Sequence, residues 1–227
     1  MPEALFDLSA EYSQMLNQGI RLSGEGQEFF IHGRLQSLPS RLPPDFRPRR
    51  ILDFGCGIGT ATRRLSEKFP HAEIVGVDTS GKALEYGTEN YGSGRVRFRP
   101  LAELSEENHF DLCYVNGVFH HIEPAQRVGA IESIYRALRP GGHLALFENN
   151  PWNPGTRMVM SRIPFDRDAI PLPIPEARRL VRAGGFAAAP RSWTLFYFPR
   201  PLAFLRPTED LLSHLPLGAQ YCVLAAK

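Results

Sequence analysis

Three glycines at alternate positions, directly after an apolar run that ends in a carboxylate, constrain this chain more than any other feature. The stretch is Arg50-Ile51-Leu52-Asp53-Phe54-Gly55-Cys56-Gly57-Ile58-Gly59-Thr60. It reads as a strand, a tight turn and a helix N-terminus, the opening of a nucleotide-binding α/β unit. Glycine permits positive φ and lets a ligand reach the backbone. Asp53 narrows the choice of ligand. A dinucleotide sets its pyrophosphate at such a turn, where a carboxylate repels it. A ligand that brings an ammonium group is attracted instead.

A second acid stands at matching distance. Ile74-Val75-Gly76-Val77-Asp78 reads as a strand whose last residue lies about 23 positions past Gly55, the spacing at which an acid reaches the ribose hydroxyls of a nucleotide. A carboxylate accepts both hydroxyl hydrogen bonds at once. The bland alternatives are that Asp53 caps the next helix and that Asp78 is the N-cap of a helix at Gly81. Thr60 occupies the place of the third glycine of the dinucleotide fingerprint, so a nicotinamide oxidoreductase is disfavoured. S-adenosylmethionine has an amino-acid end with the required ammonium.

With these motifs in order, the chain resembles the class I S-adenosylmethionine-dependent methyltransferases. LDFGCGIGT looks like their first motif and IVGVD like their second strand. Phe110-Asp111-Leu112-Cys113-Tyr114-Val115, followed by Val118-Phe119-His120-His121, looks like the fourth strand and its sequel. Leu138-Arg139-Pro140-Gly141-Gly142 before Leu144-Ala145-Leu146-Phe147 looks like the turn into the fifth. The likeness is good over about residues 50–150 and weak beyond. It implies an α/β fold, a doubly wound, Rossmann-like, seven-stranded sheet whose last two strands form an antiparallel edge hairpin, with an N-terminal helical cap. It implies S-adenosyl-L-methionine as cofactor and S-adenosyl-L-homocysteine as product. Asp53 would hold the ammonium, and Gly55, Cys56, Gly57 and Gly59 would lie under the methionyl end. Asp78 and Thr79 would meet the ribose, and Asn116 would pass under the sulfonium. Many relatives place an acid at the adenine; here Leu101 stands nearest that position and Glu103 is shifted, so backbone groups of Leu101 and Ala102 take that role.

Strands alternate with helices from residue 50 onward, which argues a parallel sheet covered on both faces. Strands are expected near 50–55, 73–78, 95–98, 110–115, 143–149, 193–198 and 220–225, and helices near 60–68, 80–90, 124–138 and 175–183. Residues 1–45 read as a helical cap, broken at Ser23-Gly24-Glu25-Gly26, and 46–227 as the methyltransferase domain. Two inserts, 149–173 and 199–218, are expected over the carboxyl ends of the strands, where ligands bind.

The acceptor side is less legible. His120 and His121 follow the fourth strand, and histidine is a plausible base at neutral pH; either could equally be structural. Glu148 and Asn149 end the fifth strand beside the expected channel and are further catalytic candidates, with Asn150 and Trp152 next to the acceptor. A turn held by Asn side chains explains Glu148-Asn149-Asn150-Pro151-Trp152-Asn153-Pro154 as well. Residues 151–207 hold nine arginines, no lysine and three acids. Arg157, Arg162 and Arg167 point to an anionic acceptor, and Tyr12, Glu25 and Tyr197 to the pocket lining.

The function read here is methyl transfer to a small organic acceptor by in-line displacement. Two rivals stand beside it. One is a membrane-surface enzyme acting on a lipid-linked acceptor through the aromatic, Arg-bearing segment 196–206. The other is a non-methylating isomerase or cyclase on the same scaffold. No apolar run is long enough to cross a membrane, and no signal peptide is visible, so a cytoplasmic monomer or homodimer is expected. A net charge of +2 without a basic tract interleaved with aromatics argues against nucleic acid. Cys56, Cys113 and Cys222 read as packing residues, and no metal-ligand spacing is visible in the sequence.

Overall fold

A computed structural model describes residues 9–166 and 168–227; the side chains of residues 9–14 and of residue 165 lie outside the description. Two helices come first, α1 (Ser9–Ile20) and α2 (Gln27–Ser37). The break between them falls at Gly24, whose φ of 76° only glycine adopts readily. Then β1 (Arg50–Phe54), α3 (Thr60–Lys68), β2 (Glu73–Asp78), α4 (Gly81–Tyr91), β3 (Val96–Pro100), β4 (Phe110–Asn116), α5 (Pro124–Ala137) and β5 (Leu138–Asn149) alternate. The chain ends with α6 (Pro154–Met160), α7 (Ile174–Ala183), β6 (Arg191–Leu195), α8 (Glu209–Leu212) and β7 (Gln220–Ala226).

All seven strands form one sheet in the order β3-β2-β1-β4-β5-β7-β6. The first five are parallel, and β7 runs antiparallel to both β5 and β6. The order reverses between β1 and β4, and ligands of such sheets sit in the crevice outside the strand ends at that point. Burial on both faces explains the continuous apolar run of β4. One face packs Leu52, Phe54, Val77 and Val115 against Ile131 and Ile134 of α5 and Val181 of α7. The other packs Ile51, Ile74, Leu112 and Phe147 against Ile31 and Leu35 of α2, Leu38 just past its end, and Leu65 of α3.

Two strand boundaries differ from expectation by about three residues or more. β5 begins at Leu138, because Phe110 pairs with Leu138 before a register shift. β6 stops at Leu195 rather than 198, because Phe196 takes φ 63°, a left-handed conformation that no strand continues. Its ring instead meets Phe29 and Phe30 of α2 at centroid distances of 5.6 and 5.0 Å. Among the described residues no helix is long and apolar enough to cross a membrane.

Candidate active site

The turn after β1 is built by its neighbours. Gly55 and Cys56 donate their N–H groups to the Val77 carbonyl at 2.8 and 3.0 Å, which ties the turn to β2. Gly55, Gly57 and Gly59 take φ of 73°, 53° and 84°. A side chain at Gly55 would strike Val118, whereas the space beside Gly57 is open, so a ligand can lie against its backbone. Asp78 closes the other side: one oxygen accepts from Gly57 N at 2.7 Å and the other from Ser80 N at 3.0 Å. Its remaining lone pairs are available to hydroxyls.

Asp53 is buried and accepts from Thr62 Oγ1 at 2.6 Å. Burial pushes its pKa up to about 7; the Thr62 bond and the Arg34 guanidinium oppose that rise, and Asp78 adds to it. A cation delivered beside it would favour ionisation. Arg34 was not singled out in the sequence, yet it lies at the centre of the site. It is buried, donates from Nε to the Tyr114 hydroxyl at 3.1 Å and from Nη1 to Gln220 Oε1 at 2.8 Å, both neutral groups. Its helical spacing with Ile31, Leu35 and Leu38 was the signal: an arginine on the apolar face of α2. A buried carboxylate and a buried guanidinium within electrostatic reach, beside an open glycine turn, match the ammonium and carboxylate of an amino-acid ligand. These residues fit the methionyl end of S-adenosylmethionine.

A cavity of about 410 Å³ adjoins the end of β4, where Asn116 and Gly117 line it. Its walls are largely apolar: Leu16 and Ile20 of α1, Phe29 and Phe30 of α2, Met160 and Ile163 of the first insert, Phe196 and Phe198. Its polar lining includes His120, His121, Asn149, Asp166 and Gln220 near the ends of β4 and β5, together with Arg34 and the Glu25–Arg206 pair.

At those strand ends lies a buried cluster. His120 Nδ1 bonds Glu148 Oε2 at 2.6 Å, and its Nε2 lies 3.4 Å from Asp166 Oδ1. His121 Nε2 lies 3.3 Å from the same oxygen. Glu148 also accepts from Val118 N and Phe119 N at 3.0 and 2.7 Å. Burial alone would lower the His120 pKa, but Glu148 and Asp166 outweigh it and hold it up to about 10. So held, His120 already carries its proton at neutral pH and is unsuited to be the base. Burial opposes ionisation of Glu148, but His120 and the Phe119 amide hold its carboxyl below the usual range. That and its three bonds make Glu148 a support rather than a base. Asp166 had no sequence signal linking it to the histidines. The fold delivers it: Ile170 N donates to His120 O at 2.9 Å, and Arg127 Nη2 donates to Ile170 O at 2.7 Å, pinning the insert over the pair.

Other candidates separate clearly. Glu25, Asn149 and Tyr197 line the cavity. Glu25 pairs with Arg206 at 2.9 Å, and Asn149 accepts from Gln220 Nε2 at 3.1 Å. Asn150 does not reach it: its amide bonds Pro216 O and Gly218 O, so it ties the insert to the last hairpin. Trp152, Arg157 and Arg162 are exposed and outside the lining; Arg157 is on the solvent side of α6, and the other two flank that helix. The side chain of Tyr12 and all of Arg167 lie outside the described residues. Leu101 and Ala102 follow β3 in a short 3-10 turn, Thr79 is exposed just past Asp78, and Cys56 is buried in the turn.

A glycine turn at the reversal of a parallel sheet, flanked by two strand-end acids and opening beside an acceptor-sized cavity, defines a group-transfer scaffold for a nucleoside that carries an amino acid. The comparisons agree. A family model described as "methyltransferase domain" matches residues 52–144. The chain is 29% identical over 84% of its length to a trans-aconitate 2-methyltransferase of Variovorax paradoxus, and covers 61% of that relative. It is 34% identical over 41% of its length to a malonyl-[acyl-carrier protein] O-methyltransferase of Priestia megaterium, covering 34% of it. In fold it is similar to a solved methyltransferase of Thermotoga maritima described as a possible histamine N-methyltransferase, with a TM-score of 0.67, 16% identity, and 97% and 98% of the two chains covered. Residues 52–144 thus match a methyltransferase domain, and the fold is also similar to that of a solved S-adenosylmethionine-dependent methyltransferase of Archaeoglobus fulgidus, with a TM-score of 0.65, 16% identity, and 89% and 95% of the two chains covered.

Proposed function

We propose that this protein transfers the methyl group of S-adenosylmethionine to an oxygen of a small organic acceptor that has an apolar body and an anionic head. The cavity carries this reading: its apolar walls converge on a polar end that adjoins the tip of β4, next in the sheet to the glycine turn of β1. The relatives named for trans-aconitate and malonyl groups support a carboxylate head.

Asp53 would hold the ammonium of the cofactor and Arg34 its carboxylate. The turn Gly55–Gly59, with Cys56, would face its methionyl chain. Asp78 and Thr79 would take the ribose, Leu101 and Ala102 the adenine, and Asn116 would lie beneath the sulfonium. The cofactor supplies an electrophilic methyl group on a positively charged sulfur. The protein's own task is alignment: an acceptor atom held about 3 Å from the methyl carbon, opposite sulfur, with water excluded. The Phe29, Phe30 and Phe196 rings would serve the exclusion. Asn149 and His121 would orient the head. A carboxylate is already ionised at neutral pH and needs no base.

Segment 196–206 supports a pocket wall better than a membrane anchor. Phe196 is buried on α2 and Phe198 lines the cavity, leaving Leu202 and Phe204 as its exposed apolar residues. The test is S-adenosylhomocysteine release from a panel of acceptors. Apolar-bodied carboxylates should be turned over faster than amines of matching size. Tight cofactor binding with product formed but no S-adenosylhomocysteine release would overturn methyl transfer in favour of an isomerase or cyclase.

A further inference from the structure

We propose that His120, His121 and Asp166 form a binding site for a divalent transition-metal ion of the zinc type at the polar end of the cavity. The three residues come from two distant parts of the chain, and one ligand atom from each lies within 4.8 Å of the others. Two imidazoles and one carboxylate are a donor set for zinc or its first-row neighbours rather than for magnesium or calcium.

The distances suit a metal ion that would displace the Nε2 proton of His120 on binding. Charge-assisted N–H···O bonds run about 2.7–2.9 Å. His120 Nδ1 and Glu148 make such a bond at 2.6 Å, but the contacts from His120 Nε2 and His121 Nε2 to Asp166 Oδ1 are 3.4 and 3.3 Å. Ligands about 2.0–2.1 Å from a tetrahedral zinc stand about 3.3–3.4 Å apart along each edge. Both contacts to Asp166 have that length.

The surroundings are those of a metal ligand. A ligating histidine usually gives its other ring nitrogen to a carboxylate that fixes ring and tautomer. Glu148 does this for His120, turning Nε2 toward Asp166, and is itself fixed by Val118 N and Phe119 N. All three ligands also line the cavity, so the fourth position faces the acceptor. An anionic oxygen is the ligand it would take, a carboxylate or an ionised hydroxyl. The ion site itself does not depend on methyl transfer, whereas this choice of fourth ligand rests on the reading above.

The test is titration of metal-free protein with Zn²⁺ by calorimetry, with dialysed samples analysed for metal. In parallel, Co²⁺ is added and the visible absorption of tetrahedral Co²⁺ recorded. One equivalent bound at micromolar or lower Kd, with that absorption, is expected. His121→Ala and Asp166→Asn should each weaken Zn²⁺ at least a hundredfold, and Glu148→Gln ten- to a hundredfold. Circular dichroism checks each variant, and the wild-type Co²⁺ spectrum decides alone should one fail to fold. No stoichiometric binding, an octahedral Co²⁺ spectrum, or Zn²⁺ held equally by folded His121→Ala and Asp166→Asn proteins overturns the site. S-adenosylhomocysteine is titrated into the same samples. Binding without metal would sink the ion site alone; metal uptake without binding would sink the methyltransferase reading alone.

Discussion

Replacing Asp53 with Asn should move ligand affinity and stability in opposite directions. In the described structure Asp53 is buried with a pKa of about 7, raised chiefly by burial. Only the ionised form pairs with an ammonium, so binding must draw on the carboxylate fraction. Between pH 8 and pH 6 that fraction falls about tenfold, and the Kd for S-adenosylhomocysteine should rise about tenfold. Asp53→Asn should bind at least a hundredfold more weakly and show no such pH dependence over that range. Stability runs the other way. A carboxyl raised from 3.8 in the unfolded chain to about 7 in the fold binds more protons when folded. Its contribution is fully present below pH 3.8 and is lost as pH rises through 7. At pH 8 the buried charge costs on the order of 4 kcal/mol. The Asn variant, which keeps a partner for Thr62, should therefore melt several degrees higher than wild type at pH 8 without ligand, and the gap should narrow to about half or less by pH 5. Calorimetric titration at pH 6, 7 and 8 with matching melting curves makes the check. A flat wild-type pH profile, or a variant that both binds as well and melts no higher, would refute the assignment of Asp53 as the ammonium's partner.

Asp78→Ala removes the acceptor of Gly57 N together with the proposed ribose contact, and S-adenosylhomocysteine binding should fall at least a hundredfold while circular dichroism stays unchanged. Arg34→Lys loses the fixed fork of the guanidinium; it should weaken S-adenosylhomocysteine about tenfold yet leave 5′-methylthioadenosine, which lacks the amino-acid end, unaffected in competition titrations. Glu148→Ala strips a buried His120 of its short-range partner and leaves two amides without an acceptor, so urea unfolding should report a loss of about 3–5 kcal/mol. Gly59→Ala forces a side chain into φ 84° and against the Phe98 ring; a loss of about 1–3 kcal/mol is expected in the same assay.

The parts of this fold that sequence could reveal are those whose physics is local. Alternate glycines after Asp53 encode positive φ at three positions, and the acid at Asp78 follows from the length of one strand–helix–strand unit. Continuous apolar runs give β1, β2 and β4, because a strand buried on both faces has no alternation to confuse it. The acceptor end is different, since its groups are neighbours only through tertiary contacts. His120 reads from sequence as a candidate base, but its chemistry is set by Glu148, 28 residues away, and by Asp166, 46 away. The arginines of the first insert were the converse case: Arg157 and Arg162 look like an anion clamp by composition, and the fold leaves both exposed to water. Arg34 lies between these extremes. The 3.6-residue period of α2 places it on the buried face, and burying a guanidinium is costly enough that a helix tolerates it only with partners waiting. A charged residue that falls within the apolar stripe of a helix, read before any motif, would have located this buried cation. The same test applied to 164–170 has no period to work with, which is why the carboxylate that gathers both histidines could be found only by folding the chain.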